Sequence, residues 1–315
     1  MKTPEISVLM SVYNEPIEWL RQSVDSILNQ TFKDFEFIII IDKPDATEII
    51  FLLEEYKIKD ERILLVKNEV NIGLTKSLNI GLKLAKGNYI ARMDADDIAL
   101  SHRFETQLEF LRNNSEYILC GSYVQTFDDN GKKDIIKYPI SDLDIKKRLL
   151  IDNCIAHPTI MFVRNVVISN EIQYNESCIY AQDYDFFVSL VFLGKFTVIS
   201  ECLLMYRISP NQISRSKIRA QTEYKRAIQQ RYLKNILAKY NLTVEVDCIE
   251  KKVSSRVDIP LEIKQFILSS LYSLKSPFRA IVYPIFIDYT VLTLGKLYFS
   301  SYKRARLWQK LSTRN

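Results

Sequence analysis

The segment Phe35 to Ile41, FEFIIII, is apolar almost without a break, and it constrains the fold more than any other stretch of the chain. A strand with one wet face alternates apolar and polar residues. A strand that is apolar throughout has to be covered on both faces, as in a parallel sheet flanked by helices. The neighbouring pattern agrees. Ile6 to Val12 reads as a first strand, and Leu20, Val24, Ile27 and Leu28 then recur on one face of a helix whose first turn suits Pro16. Arg62 to Val66 reads as a third strand, Gly73 to Lys86 as a helix carrying Leu74, Leu78, Leu82 and Ala85 and closed by Gly87, and Asn88 to Met93 as a fourth strand. This alternation is that of βαβ units, so the expected class is α/β with a mostly parallel sheet flanked by helices.

Downstream the pattern predicts a helix from about Ser101 to Asn113, a strand from Tyr117 to Phe127, and a charged loop over Asp128 to Lys133. A helix over Asp142 to Ile151, a strand over Thr159 to Val163, a helix over Asp183 to Leu193 and strands at Phe196 to Ile199 and Leu203 to Tyr206 follow. Beyond about Ser216 the chain reads as all-helical, with amphipathic segments Ile218 to Tyr240 and Leu261 to Leu274. Ala280 to Leu294 is the most apolar stretch, but it contains Pro284 and Asp288 and falls short of the roughly 20 residues a spanning helix needs. It reads as a buried helix, or as one lying on a membrane surface beside Lys303, Arg304, Arg306 and Trp308.

Charge divides the chain in the same place. Residues 1–215 hold 24 Lys and Arg against 31 Asp and Glu, formally −7, whereas residues 216–315 hold 19 against 7, formally +12. Two regions are therefore expected, 1–215 and a basic helical 216–315. The basic region fits an anionic lipid surface or a phosphate-bearing acceptor, and it fits a set of solvated Lys-rich helix faces as well. The five cysteines are scattered, without a C-x-x-C pair, and the N-terminus lacks a secretory signal pattern. The expected location is the cytoplasm, with peripheral contact at the inner face of the membrane through the basic region, and no nucleic-acid partner.

The chemistry concentrates where the fourth strand runs into Asp94-Ala95-Asp96-Asp97. Ligands of open α/β sheets bind at the carboxyl ends of strands. Carboxylates packed this closely repel one another unless a cation compensates, and hard Mg²⁺ or Mn²⁺ ions prefer such oxygens together with substrate phosphates. An acidic start to a helix running from Ile98 to Asn113 would also account for these residues through the helix dipole.

Three ordered segments, SVLMSVYNEPIEWLRQSVDSILNQTFKDFEFIIIID, then NIGLTKSLNIGLKLAKGNYIARMDADD, then QDYDFF, resemble the family 2 glycosyltransferases over roughly Glu5 to Ser214. The resemblance implies the GT-A nucleotide-diphospho-sugar fold, with the basic region as a helical C-terminal extension. It also implies an inverting transfer of a hexosyl or N-acetylhexosaminyl unit from a nucleotide-diphosphate donor, UDP by preference. The acceptor class it implies is a saccharide or lipid-linked saccharide hydroxyl in capsule, lipopolysaccharide or related polysaccharide assembly.

Residue by residue, the resemblance implies that Ser11, Tyr13 and Glu15 wall the base and ribose pocket and that Asp42 accepts from the pyrimidine ring. Relatives have a second aspartate where this chain has Ile41, and an ordinary Asx-type turn at Asp42-Lys43-Pro44 is the plain alternative. Asn71 and Gly73 match the Asn-x-Gly ahead of the helix under the nucleotide. Asp94 is expected near the ribose, and Asp96 is expected to ligate the Mn²⁺ or Mg²⁺ ion. Asp183 matches the catalytic base, a carboxylate that takes the acceptor proton as the new bond forms, although an N-cap role would also suit it. Relatives have Glu where this chain has Gln182. Arg207 is expected to meet the diphosphate, while Ser209 replaces the histidine that in many relatives approaches the metal. His157, ahead of Pro158, reads as structural.

Two rivals stand beside this reading. A nucleotidyltransferase also uses a metal and an α/β nucleotide pocket, but Val12-Tyr13-Asn14-Glu15-Pro16 lacks the Gly-rich basic loop that would bind a triphosphate. A nucleotide-sugar-binding scaffold subunit would tolerate the substitutions at Ile41, Gln182 and Ser209.

Overall fold

A computed structural model of the chain describes residues 3–128, 131, 133–209 and 218–239. The first six elements alternate strand and helix: β1 (Ile6–Val12), α1 (Ile17–Leu28), β2 (Phe35–Ile41), α2 (Thr47–Lys59), β3 (Ile63–Lys67) and α3 (Leu74–Leu84). Then come β4 (Tyr89–Asp94), the two-residue β5 (Ile98–Ala99), α4 (Arg103–Asn113), β6 (Tyr117–Phe127) and β7 (Lys133–Ile136). The remainder is α5 (Asp142–Arg148), a 3-10 turn (His157–Thr159), β8 (Met161–Val163), α6 (Arg164–Ser169), α7 (Gln182–Leu190), β9 (Lys195–Arg207) and α8 (Ile218–Lys239).

A single sheet carries them in the order β3-β2-β1-β4-β8-β6-β9-β5, with β7 attached to β6. The half built from β3, β2, β1 and β4 is wholly parallel, and β8 enters antiparallel beside β4. As its composition requires, β2 is covered along nearly its whole length, as is its neighbour β1. Phe37 to Ile41 are all buried, and α1 contributes Leu20, Val24 and Ile27 from one side. The loop after α3 approaches β1 so closely that a Cβ on Gly87 would lie 2.6 Å from the backbone nitrogen of Ser7. That contact presses β4 against β1 in a register that pairs Ser11 with Asp94.

Three local expectations are corrected. Phe196 to Tyr206 is not two strands. β9 runs unbroken, because Ser200 and Glu201 are accommodated as an irregularity against β6, where Ile199 pairs with Ser122 and Cys202 with Tyr123. The charged loop after Phe127 turns back at Gly131, which has φ +74°, into the exposed edge strand β7. The helix after the acidic run begins at Arg103, not at Ile98, because Ile98 and Ala99 pair with Met205 and Leu204 of β9.

The chain divides into two compact units, Met1–Tyr232 and Leu233–Asn315. The first holds every described strand and extends into α8, where Ile228 and Tyr232 are buried. Of the second unit only residues 233–239 are described; the Leu261 to Leu274 helix and the apolar Ala280 to Leu294 stretch lie outside the described residues. Among the described residues no helix is long and apolar enough to cross a membrane.

Candidate active site

Strand alternation places Arg92 and Asp94 on one face of β4, and the two form an ion pair there. Arg92 is 3% exposed, and its Nε and Nη1 atoms are buried without a hydrogen-bond partner. The chain then turns, and the carboxylate oxygens of Asp94, Asp96 and Asp97 gather within 4.8 Å of one another. Ser23 of α1 donates to the Asp94 carbonyl at 2.8 Å and Arg207 Nε donates to the Asp96 carbonyl at 2.8 Å, so the turn is pinned from two elements. Since α4 starts only at Arg103, the acidic run does not sit at a helix N-terminus, and the helix dipole does not explain it.

The electrostatics favour a bound cation. Burial, followed by the charges of Asp94 and Glu15, pushes the Asp96 pKa up to about 7. Burial and the neighbouring Asp94 and Asp96 hold Asp97 well above the usual carboxylate range. Glu15 is raised too, chiefly by burial, with Asp94 adding to it. Arg92 offsets only part of this excess. One Asp97 oxygen accepts from the Arg207 backbone N–H at 2.8 Å, while the other is buried with no partner. A donor set of clustered carboxylate oxygens with an unmatched negative charge fits a hard divalent ion.

Asp183 lies in the first turn of α7, whose N-cap is Ala181, so it is not the cap. Its Oδ1 accepts from the Tyr184 backbone N–H at 2.8 Å and its Oδ2 from Asn153 Nδ2 at 2.6 Å. Burial raises its pKa, and the charges of Arg92 and Lys225 oppose the rise. Asp183 is therefore within electrostatic range of the arginine that pairs with Asp94. Tyr174 also feels both Asp183 and Asp94. Arg92 and Tyr174 thus link the two carboxylate sites electrostatically.

The other expected residues divide into two groups. Ser11, Glu15 and Arg207 join the acidic turn. Glu15 accepts from the Tyr13 backbone N–H at 2.8 Å, and Arg207 is 5% exposed, sandwiched between Trp19 and Phe127 and bonded through Nη2 to Gln22 at 2.7 Å. Its contact with the cluster thus runs through the backbone of Asp96 and the carboxylate of Asp97. Asp42 and Asn71 lie further along the same strand edge. Buried Asp42 accepts from Ile72 and Gly73 N–H at 2.9 and 2.8 Å and from Asn68 at 2.8 Å. It thereby fixes the loop that carries exposed Asn71 into α3, through a glycine at φ +86°. The local Asx turn is not what occupies Asp42. Exposed Tyr13 has the Lys43 ammonium over its ring, 5.8 Å from the centroid. His157 is a core residue, 2.8 Å from the Tyr174 hydroxyl, with its pKa pushed well below the usual value by burial.

Arg92 and Asn153 escape sequence reasoning. Arg92 carried one faint signal, a charged residue inside an otherwise apolar strand, two positions before Asp94. Asn153 carried none, since its partner is 30 residues away.

Comparison with known proteins extends this geometry. The family described as "Glycosyl transferase family 2" matches residues 7–170. The chain is 39% identical over 227 residues to an uncharacterized glycosyltransferase of Methanocaldococcus jannaschii, covering 71% of this chain and 78% of that one. It is 34% identical over 221 residues to the O-antigen biosynthesis glycosyltransferase WbnJ of Escherichia coli, covering 68% and 83%. Among solved structures, S. aureus TarS residues 1–349 in complex with UDP-GlcNAc superposes with a TM-score of 0.59 at 18% identity, over 90% of this chain and 79% of that one. Against the longer TarS chain the share is 44%. The architecture is that of the GT-A glycosyltransferases.

Proposed function

The chain belongs to glycosyl transferase family 2, and from that premise we propose that it is an inverting, metal-dependent transferase moving a sugar from a UDP donor to a saccharide hydroxyl in polysaccharide or glycolipid assembly. The observation that carries the reading is the acidic turn after β4, whose charge exceeds its partners, together with Arg92 and Tyr174, each of which interacts both with Asp94 of that turn and with Asp183. The TarS complexes with UDP and UDP-GlcNAc, and the role of WbnJ in O-antigen biosynthesis, support the donor and acceptor classes. Family membership separates the chain from nucleotidyltransferases.

In this reading Ser11, Tyr13 and Glu15 wall the base and ribose, Asp42 and Asn71 close the pyrimidine end, and Asp94 faces the ribose. Asp96, supported by Asp97, holds Mn²⁺ or Mg²⁺. When bound, such an ion neutralises charge developing on the departing nucleoside diphosphate. Asp183 accepts the proton of the acceptor hydroxyl while that oxygen bonds to the anomeric carbon. The bond from that carbon to the β-phosphate oxygen breaks, and its electron pair leaves with UDP. Arg207 keeps the acidic turn in place beneath the diphosphate. Peripheral contact of the basic region 216–315 with anionic lipid would bring a lipid-linked acceptor within reach.

A thermal-shift screen of UDP sugars with and without Mn²⁺ tests the donor half, because a ligand at 100 times its Kd stabilises the native state by about 2.7 kcal/mol. Asp96→Asn should remove the Mn²⁺-dependent part of the shift. Asp183→Asn should keep the shift and lose transfer by roughly 100-fold or more. Full transfer by Asp183→Asn would remove Asp183 from the mechanism, and donor binding without turnover against any acceptor would turn the reading towards a scaffold subunit.

A further inference from the structure

We propose that Asn153 is a positioning residue for Asp183, its side-chain amide holding one carboxylate oxygen so that the remaining edge of the carboxylate is presented to the acceptor hydroxyl. The inference rests on the reading of Asp183 as the base. Its geometry is direct: Asn153 Nδ2 donates to Asp183 Oδ2 at 2.6 Å. The amide has one workable orientation, because its Oδ1 accepts from the Ile155 N–H at 3.1 Å and a flip would set a carbonyl oxygen against the carboxylate. With Oδ1 of Asp183 taken by the Tyr184 N–H, each carboxylate oxygen has one anchored lone pair and one left for a proton.

The pair is also held from outside. α8 grips the segment that carries Asn153, through Lys225 to Asp152 at 2.6 Å and Gln229 to the Ile151 carbonyl at 2.6 Å. Two residues beyond Gln229, the same helix grips α7, through Arg231 to Asp185 at 2.9 Å and to the Ser189 hydroxyl at 3.4 Å. A base has to sit within hydrogen-bond reach of the proton it takes, and small displacements are costly. A helix that clamps both partners sets their separation independently of the loop between them.

A hydrogen bond donated to a carboxylate favours its charged form, so the contact has a pH signature. The groups facing Asp183 are Arg92 from β4, Lys225 from α8, and Tyr174 and Cys178 from the segment before α7, with Asp152 beside Asn153 and Asp185 already paired to Arg231. Carboxyl-carbon NMR of the full chain, with the Asp183 signal assigned by its loss in Asp183→Asn, reads the titration directly. Asn153→Ala should move the Asp183 midpoint upward, and Asn153→Asp should move it further by adding a like charge, with thermal midpoints reported for both. UDP release from UDP-N-acetylglucosamine in Mn²⁺ should fall roughly 10- to 100-fold in kcat at unchanged donor KM, and its acid limb should move upward with the NMR midpoint. An Asp183 midpoint unmoved in Asn153→Ala overturns this inference alone. Undiminished UDP release by Asp183→Asn overturns the base assignment and this inference together.

Discussion

Arg92 illustrates how much of a site is decided by burial. Within β4 it is a buried cation among apolar neighbours, while the Asp94 side chain that pairs with it stays 31% exposed. Removing one partner of a buried pair leaves the other charge uncompensated, at a cost of about 3–5 kcal/mol. Because Asp94 keeps access to water that cost is reduced, so Arg92→Met should lower the unfolding free energy by about 1–2 kcal/mol and weaken UDP binding, as read by urea titration and thermal shift. An unchanged urea midpoint would mean that Asp94 finds another partner. The acidic run was legible in the sequence because its carboxylates are adjacent along the chain, while Asp183 was singled out through the family resemblance. What the carboxylates pair with was not. Asp97 serves the backbone of Arg207, Asp42 serves the loop before α3, and Asn153 serves Asp183, each across more than 25 residues. Residue type announces an ability to bond but does not name the partner.

Among elements, periodicity located those whose burial is one-sided or complete, and it failed where tertiary pairing overrides local pattern. β1, β2 and β6 have the bounds their apolar runs imply. β7 has four exposed residues and exists only because β6 offers it an edge. β9 passes through Ser200 and Glu201 for the same reason, since β6 supplies the ladder on both sides of the polar pair. The turn before β4 gives a sharper test of element packing. Gly87 N–H donates to Ser7 Oγ at 2.8 Å, and that hydroxyl donates to Glu36 at 2.6 Å, which joins β1, β2 and the start of β4 in one chain of bonds. A methyl group at position 87 would meet backbone on β1, and backbone cannot rotate aside. Gly87→Ala should cost about 1–3 kcal/mol in urea unfolding and lower donor affinity, because Ser11 and Asp94 share that register. Full stability in Gly87→Ala would show that the turn yields without shifting β1 against β4.

For the molecule as a whole, the acidic turn makes folding, proton binding and cation binding one linked equilibrium. In the cation-free chain the folded Asp96 pKa is raised to about 7 from an ordinary carboxylate value of 3.8. A raised folded-state pKa means that the native state holds its proton more tightly than the unfolded chain does. This group's contribution to stability is then fully present below about pH 4 and is lost as pH rises towards 7. A divalent cation needs the deprotonated oxygens, so its binding competes with the proton and strengthens over the same interval. The thermal shift produced by Mn²⁺ alone should therefore be small at pH 5.5 and grow through pH 8, while the cation-free midpoint falls across that range. Asp96→Asn should flatten both trends, because an amide neither holds the proton nor repels Asp94 and Glu15. Differential scanning fluorimetry of the two chains at matched ionic strength, across pH 5.5 to 8, reads both quantities. A Mn²⁺ shift that is independent of pH in the native chain would place the ion on groups other than these carboxylates.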